Sequence, residues 1–214
     1  MVFIRPEDVS LQQCRGIESI DQNVFMVLVQ APIELVAQAF SQLRQAEIWV
    51  RDVYEREVEI IGQGVMVFQF RGHSWTLINR LCDPPYGSGL PRQVGATEED
   101  AQNLSDLLHT RAIYYTASDT SGTIEYQLYQ DGKSVERLFF EEGFSVQFQS
   151  QLRQLEAEDI ENAYSFTMNF IREQDAYVPV LFVSKCRSVG QQMILQLENL
   201  SRDNLERMDY IAYR

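Results

Sequence analysis

The chain has 214 residues, of which 45% are apolar and 23% are charged, and this composition is typical of a folded globular protein rather than a disordered one. Its 31 acidic residues exceed its 18 basic residues, which leaves a formal net charge of −13. Such a charge repels nucleic acid and anionic lipid surfaces, whereas it either favours encounter with a basic protein partner or serves only to keep the protein soluble.

Disulfides, structural metals and membrane spans are not indicated. The three cysteines, Cys14, Cys82 and Cys186, are far apart, and no CxxC pair or histidine at zinc-ligand spacing accompanies them. Residues 1–16 carry charges and a proline where a secretory signal would need an apolar run, and no apolar stretch approaches the ~20 residues of a membrane span. We therefore expect a cytoplasmic protein with no cofactor, no metal site and no membrane association.

The first half of the chain predicts a buried strand, a helix and a meander. The continuous apolar run from Asn23 to Val29 is shorter than a typical helix and predicts a central strand. Pro32 then suits the first turn of a helix that packs on the sheet. Between residues 56 and 81 the period changes to two, which predicts three antiparallel strands with turns at the glycines Gly62, Gly64 and Gly72.

A long connection follows, from Cys82 to Ala96. It contains three prolines and three glycines, so it is not regular structure, and it is the loop best suited to a function. At Thr97 a hydroxyl followed three residues later by an acid predicts the start of a helix that runs to about His109. Residues 111–117 return to strand character.

The pair Asp131 and Gly132 between alternating segments predicts a two-residue hairpin turn in which both residues have positive φ. Counting outward from that turn predicts the cross-strand neighbours Tyr129–Ser134, Leu128–Val135, Gln127–Glu136, Tyr126–Arg137 and Ile124–Phe139. One strand earlier, "SDTSG" from Ser118 to Gly122 is interpreted as a turn. The alternative is that Asp119 is a catalytic acid, but the triplet is Asp-Thr-Ser and no second copy supplies a partner carboxylate.

The last third of the chain predicts a helix that begins in the acidic stretch at residue 156 and runs through Ile171. Strands are predicted from Ala176, where Pro179 favours a strand start or edge, and in "QQMILQLE". Ser201 is predicted to cap a short final helix through Met208. The order β-α-β-β-β then α-β-β-β predicts an α+β fold in which antiparallel meanders pack against amphipathic helices. We expect a single domain over residues 1–214, or two related halves over 23–96 and 97–185.

The chain carries few residues suited to catalysis. It has only two histidines, His73 and His109, and the phosphate-loop, nucleophile-elbow, dinucleotide and zinc-protease motifs are all absent from the sequence. His73 and Ser74 are adjacent in a predicted strand and point to opposite faces, so they are poorly placed to act as base and nucleophile. No residue is therefore assigned a catalytic role.

The aromatic residues favour binding instead. If the 82–96 loop folds over the strand that carries Trp75, an aromatic-lined groove results. The predicted ligand-binding residues of such a groove are His73, Trp75, Tyr86, Arg92 and Asp119. The sequence thus favours a non-enzymatic acidic binding protein with a basic protein partner or a small ligand. The alternative is a hydrolase or transferase that uses Asp119 with His73 and has the loop as a lid.

Overall fold

The computed structural model describes residues 11–20, 23–60, 62–81, 93–180, 192–195, 197 and 200–214. Its α-helices are α1 (Ile33–Leu43), α2 (Glu98–Leu107) and α3 (Ala163–Glu173). Its strands are β1 (Gly16–Ile17), β2 (Val24–Val29), β3 (Ile48–Val50), β4 (Glu57–Glu59), β5 (Gln63–Phe70), β6 (Thr76–Arg80), β7 (Arg111–Ser118), β8 (Thr123–Gln130), β9 (Lys133–Glu141), β10 (Gln147–Ser150), β11 (Tyr177–Val178), β12 (Gln192–Ile194) and β13 (Leu205–Tyr213). The predicted α+β class with antiparallel strands is confirmed.

Nine strands form one antiparallel sheet in the order β10-β9-β8-β7-β2-β6-β5-β13-β3. β2 is the fifth of the nine, as its continuous apolar run predicts, and strands from both halves of the chain lie beside it. Two small sheets lie outside this one: β1 pairs with β11 in parallel, and β4 pairs with β12 antiparallel.

Helices cover the large sheet on both faces. Because side chains alternate along a strand, Val27 of β2 packs with Phe40 of α1 and Leu104 of α2 in one cluster of buried residues. Met26 points the other way and belongs to the larger cluster, to which α3 contributes Phe170. The sheet is therefore the middle layer between α1 and α2 on one face and α3 on the other.

The starts of α1 and α2 follow the sequence signals, whereas the start of α3 does not. Thr97 and Asp100 form a capping box in which the Asp100 carboxylate accepts a hydrogen bond of 2.7 Å from the Thr97 amide. α1 begins directly after Pro32. α3 begins later than predicted, because Asn162 caps it and the preceding acidic stretch forms a separate 3-10 helix over residues 157–159.

The hairpin between β8 and β9 has the predicted turn, with φ of 50° at Asp131 and 74° at Gly132. The predicted pair Tyr129–Ser134 is confirmed, but the register beyond it is wrong. A bulge shifts the pairing by one residue, so Leu128 lies opposite Glu136 and Tyr126 lies opposite Leu138. The shifted register buries Leu138 and exposes Arg137. It also buries Glu136, whose carboxylate is paired with Tyr126, Ser150 and Arg153.

The predicted final helix is also wrong. Ser201 caps only a 3-10 helix over residues 202–204, and the chain then enters β13. β13 lies between β5 and β3 and is buried on both faces, with Met208 and Tyr210 on the α3 face and Ile211 on the α1 face. Its apolar residues therefore do not alternate, and their spacing imitates that of a helix.

The predicted meander over residues 56–81 is correct only for β5 and β6, because β4 pairs with β12 instead. Gly72 has the expected positive φ of 80° in the turn between β5 and β6. Gly64, in contrast, lies inside β5, where a Cβ atom would come within 2.8 Å of Leu81 and Tyr210 side-chain atoms. This glycine therefore allows close packing and does not form a turn.

The turn glycine Gly132 gives a direct test of the hairpin. We expect Gly132→Ala to lower the free energy of unfolding by more than ~1 to 2 kcal/mol, because alanine is strained at positive φ and its Cβ would lie 2.8 Å from Cβ of Asp106. The matched control is Gly143→Ala, whose φ is also positive but whose Cβ would meet nothing within 4 Å. Urea denaturation of both variants measures the difference, and equal losses would contradict the close packing of the turn on α2.

Candidate functional site

Two residues of the predicted groove, His73 and Trp75, are buried in the structure. Trp75 is fully buried, and its indole Nε1 donates a hydrogen bond of 2.9 Å to the Gln174 carbonyl oxygen. His73 Nε2 lies 2.8 Å from the Leu11 carbonyl oxygen, and burial lowers the pKa of its imidazole. Both side chains pack among other buried residues of the described structure.

Asp119 lies in the turn between β7 and β8, which confirms that "SDTSG" is a turn. Its carboxylate accepts hydrogen bonds of 2.7 Å from the Asn23 side-chain amide and 3.1 Å from the Thr120 hydroxyl. Gly122 completes the turn with a φ of 61°. Asp119 is exposed to solvent and has the surroundings of a structural turn residue.

The structure does not bring Asp119 and His73 together. Asp119 lies beyond the end of β7 that pairs with Val24, whereas His73 precedes the end of β6 that pairs with Val29. The two turns are therefore separated by at least the length of β2 from Val24 to Val29, which is about 17 Å at ~3.3 Å per residue. The remaining predicted residues, Tyr86 and Arg92, and most of the predicted loop lie outside the described residues.

The sheet has a partly uncovered region on the face that carries α1 and α2. One cross-strand row there runs over four strands, from Phe25 on β2 to Phe139 on β9. The next row, towards α2, runs from β7 to β9. We call this region the open face, and its residues are Phe25, Thr116, Glu125 and Phe139 in the first row and Tyr114, Gln127 and Arg137 in the second. Phe25 is 40% exposed, although it lies on the central strand.

The open face ends where α2 begins. Ala112 and Tyr129 form the following row under α2, and both are buried. Glu98 is the first residue of α2, and it accepts a hydrogen bond of 2.6 Å from the Tyr129 hydroxyl. This contact places the Glu98 carboxylate at the border of the open face.

Glu125 is the polar centre of the open face. It is half-buried, and burial together with the nearby negative charge of Glu98 raises the pKa of its carboxyl, while the charge of Arg137 opposes this shift. Within the described part of the chain, the Glu125 carboxylate makes no hydrogen bond or salt bridge. Burial, together with the negative charges of Glu125 and Glu98, also raises the pKa of the neighbouring Tyr114 hydroxyl. The open face therefore holds an incompletely neutralised carboxylate among aromatic side chains.

Three other carboxylates among the described residues are more deeply buried, and each is paired. Asp100 accepts a hydrogen bond from the Thr97 amide and forms an ion pair with Arg44. Glu136 accepts hydrogen bonds from Tyr126, Ser150 and Arg153, and Asp209 accepts them from Trp49, the Asp52 amide and Arg207. Paired in this way, a buried carboxylate holds neighbouring elements together and has no free lone pair directed at a ligand. Among the residues that the structure describes, no three potential metal ligands lie close enough to form a metal site.

Comparison of the chain with protein-family models, with curated proteins and with solved structures finds no match in any of the three. In the described ranges, no helix has both the length and the apolar character needed to cross a bilayer. The geometry of the open face is therefore the basis for a functional assignment.

Replacing Glu125 tests the electrostatics of the open face. Its raised pKa in the folded state means that stability falls as the pH rises from the usual Glu range, about 4.3, through the folded-state value. We expect Glu125→Gln, which removes this penalty, to unfold at a higher temperature than the parent protein at pH 7. The two proteins should converge below the usual Glu range, where both side chains are neutral. Thermal melts over a pH series measure the effect, and a destabilised variant at pH 7 would contradict it.

Proposed function

We propose that this protein is a non-enzymatic, cytoplasmic binding protein whose open face accepts a basic segment of another protein. The observation that supports the proposal is the Glu125 carboxylate, which is half-buried and has no hydrogen bond or salt bridge within the described chain. A lysine or arginine from a partner would neutralise it and relieve its repulsion with Glu98. Ligand binding would thus supply the interaction that the free protein lacks.

The aromatic residues of the open face suit the same ligand. Cations bind favourably over aromatic rings, and the alkyl stem of a lysine or arginine packs well against them. One example already lies at the border, where the Arg80 guanidinium is 5.7 Å from the centre of the Phe25 ring. Tyr114 and Phe139 provide comparable surfaces on either side of Glu125.

The overall charge supports a basic partner as well. A protein with a net charge of −13 attracts cationic partners over a distance of about one Debye length, ~8 Å at physiological salt. The local acids then determine where the partner binds, because long-range attraction alone carries no specificity. No catalytic role is proposed for Asp119 or His73, since they lie at opposite ends of the strands.

A short fluorescein-labelled peptide of alternating arginine and leucine is a suitable probe. We expect Glu125→Lys to weaken its binding at least about ten-fold, which corresponds to ~1.4 kcal/mol. The control is Glu158→Lys, which makes the same charge change at an exposed position on the 3-10 helix before α3 and should change the affinity about two-fold or less. Fluorescence anisotropy in a salt series measures both.

Two results would contradict the proposal. One is equal weakening by the two substitutions, because the peptide would then respond only to net charge. The other is the absence of peptide binding at low salt, where the electrostatic attraction is greatest. Glu125→Lys places a second positive charge near Arg137 and so could disturb folding. Glu125→Gln introduces no such charge, and we expect it to weaken peptide binding as well.

A further inference from the structure

The two edges of the nine-stranded sheet differ in charge. β3 forms one edge, and charged residues flank it, among them Glu47 with its ion-pair partner Arg214 on one side and Arg51 on the other. β10 forms the opposite edge and lies within residues 143–152, which contain no charged side chain. Natural proteins usually protect a sheet edge with charges or prolines, so an uncharged edge in an acidic protein indicates that another strand pairs with it.

The β10 edge is exposed and is flanked by apolar side chains. Phe144, three residues before the strand, is 67% exposed, and Leu152, two residues after it, is 55% exposed. In the described chain, β10 pairs with β9 alone, which leaves the outer backbone groups of β10 available. This edge therefore offers both hydrogen-bonding groups and apolar surface to an added strand.

Two side-chain contacts hold β10 against the rest of the protein. Phe148 packs edge-on against Phe166 of α3, with 5.4 Å between the ring centres. The Ser150 hydroxyl donates a hydrogen bond of 2.6 Å to the buried Glu136 carboxylate. Both contacts lie on the α3 face of β10, so they fix the strand without occupying its outer edge, and little conformational entropy is lost when it pairs.

We propose that two copies of this chain associate by antiparallel pairing of their β10 strands. A two-fold axis that passes beside Phe148, so that Gln147 lies opposite Gln149 of the second copy, also brings each Phe144 opposite the Leu152 of the other copy. The four exposed apolar side chains then cover one another, as an isologous interface requires. The sheets of the two copies become continuous through β10.

The lack of charge identifies a second copy as the occupant. Two molecules with a net charge of −13 repel each other, and they approach most easily where neither carries a charge. A basic partner, in contrast, gains nothing from an uncharged edge. This interface is separate from the open face and does not depend on it, because it involves other residues and a neutral contact.

Analytical ultracentrifugation over a concentration series tests the inference. A four-residue strand with four apolar flanking side chains makes a small interface, so we expect the parent protein to change from monomer to dimer as its concentration rises. We expect Leu152→Lys to raise the dimer dissociation constant at least about ten-fold. The control is Leu107→Lys on α2, a position with the same exposed fraction of 55%, and it should dimerise like the parent.

Hydrogen exchange keeps the test independent of how well the variants fold. In the parent protein, the outward amides of β10 should exchange more slowly at concentrations where the dimer forms, whereas those of β3 should not change. A parent protein that stays monomeric up to its solubility limit would overturn the inference. Equal weakening by the two lysine substitutions would do the same, as would β10 exchange that does not depend on concentration.

Discussion

The cross-strand register of β2 with its neighbours β6 and β7 determines what this molecule brings together. β2 is buried at the centre of the large sheet, and the two halves of the chain meet there. Because strand pairing fixes neighbours to the residue, Phe25 lies beside Thr116, and the row continues to Glu125. The same register places the turn that contains Asp119 and the turn that contains His73 at opposite ends of the strands. One set of backbone contacts therefore creates one candidate site and separates another.

The open face exists because a helix is shorter than the strands beneath it. α2 has ten residues and a length of about 15 Å, whereas the eight residues of β7 extend for about 26 Å. Even a helix aligned with the strands would leave part of their length uncovered. The capping box at Thr97 fixes the residue at which α2 begins. Glu98, the first residue of α2, therefore lies at the border of the uncovered surface. The end of one helix thus determines both the extent and the charge of the open face.

Local sequence signals predicted much of the fold. The apolar run of β2, the hydroxyl cap of α2 and the Asp131–Gly132 turn each depend on residues close together in sequence, and each is confirmed. β13 was missed because a strand buried on both faces loses its alternation and resembles a helix. Glu125 was missed for another reason. Its neighbours come from β2, β7 and β9, so only the register shows them together, and a β-bulge shifts the β8–β9 register without a local sequence mark.

The bulge between β8 and β9 also sets where this protein tolerates changes in length. Between the bulge and the turn, added or lost residues change the hairpin tip and its contact with α2, but they leave the pairing of the rest of β9 unchanged. Beyond the bulge, from Glu136 to Glu141, the single extra residue of the bulge determines which side chains of β9 face the core and which face the other side. One residue inserted or deleted there would move Leu138 to the face that now carries Arg137 and Phe139, and would move those two residues to the core face. The number of residues from the bulge to the end of β9 is therefore constrained by the whole sheet, whereas the length of the hairpin tip is constrained only by its packing on α2.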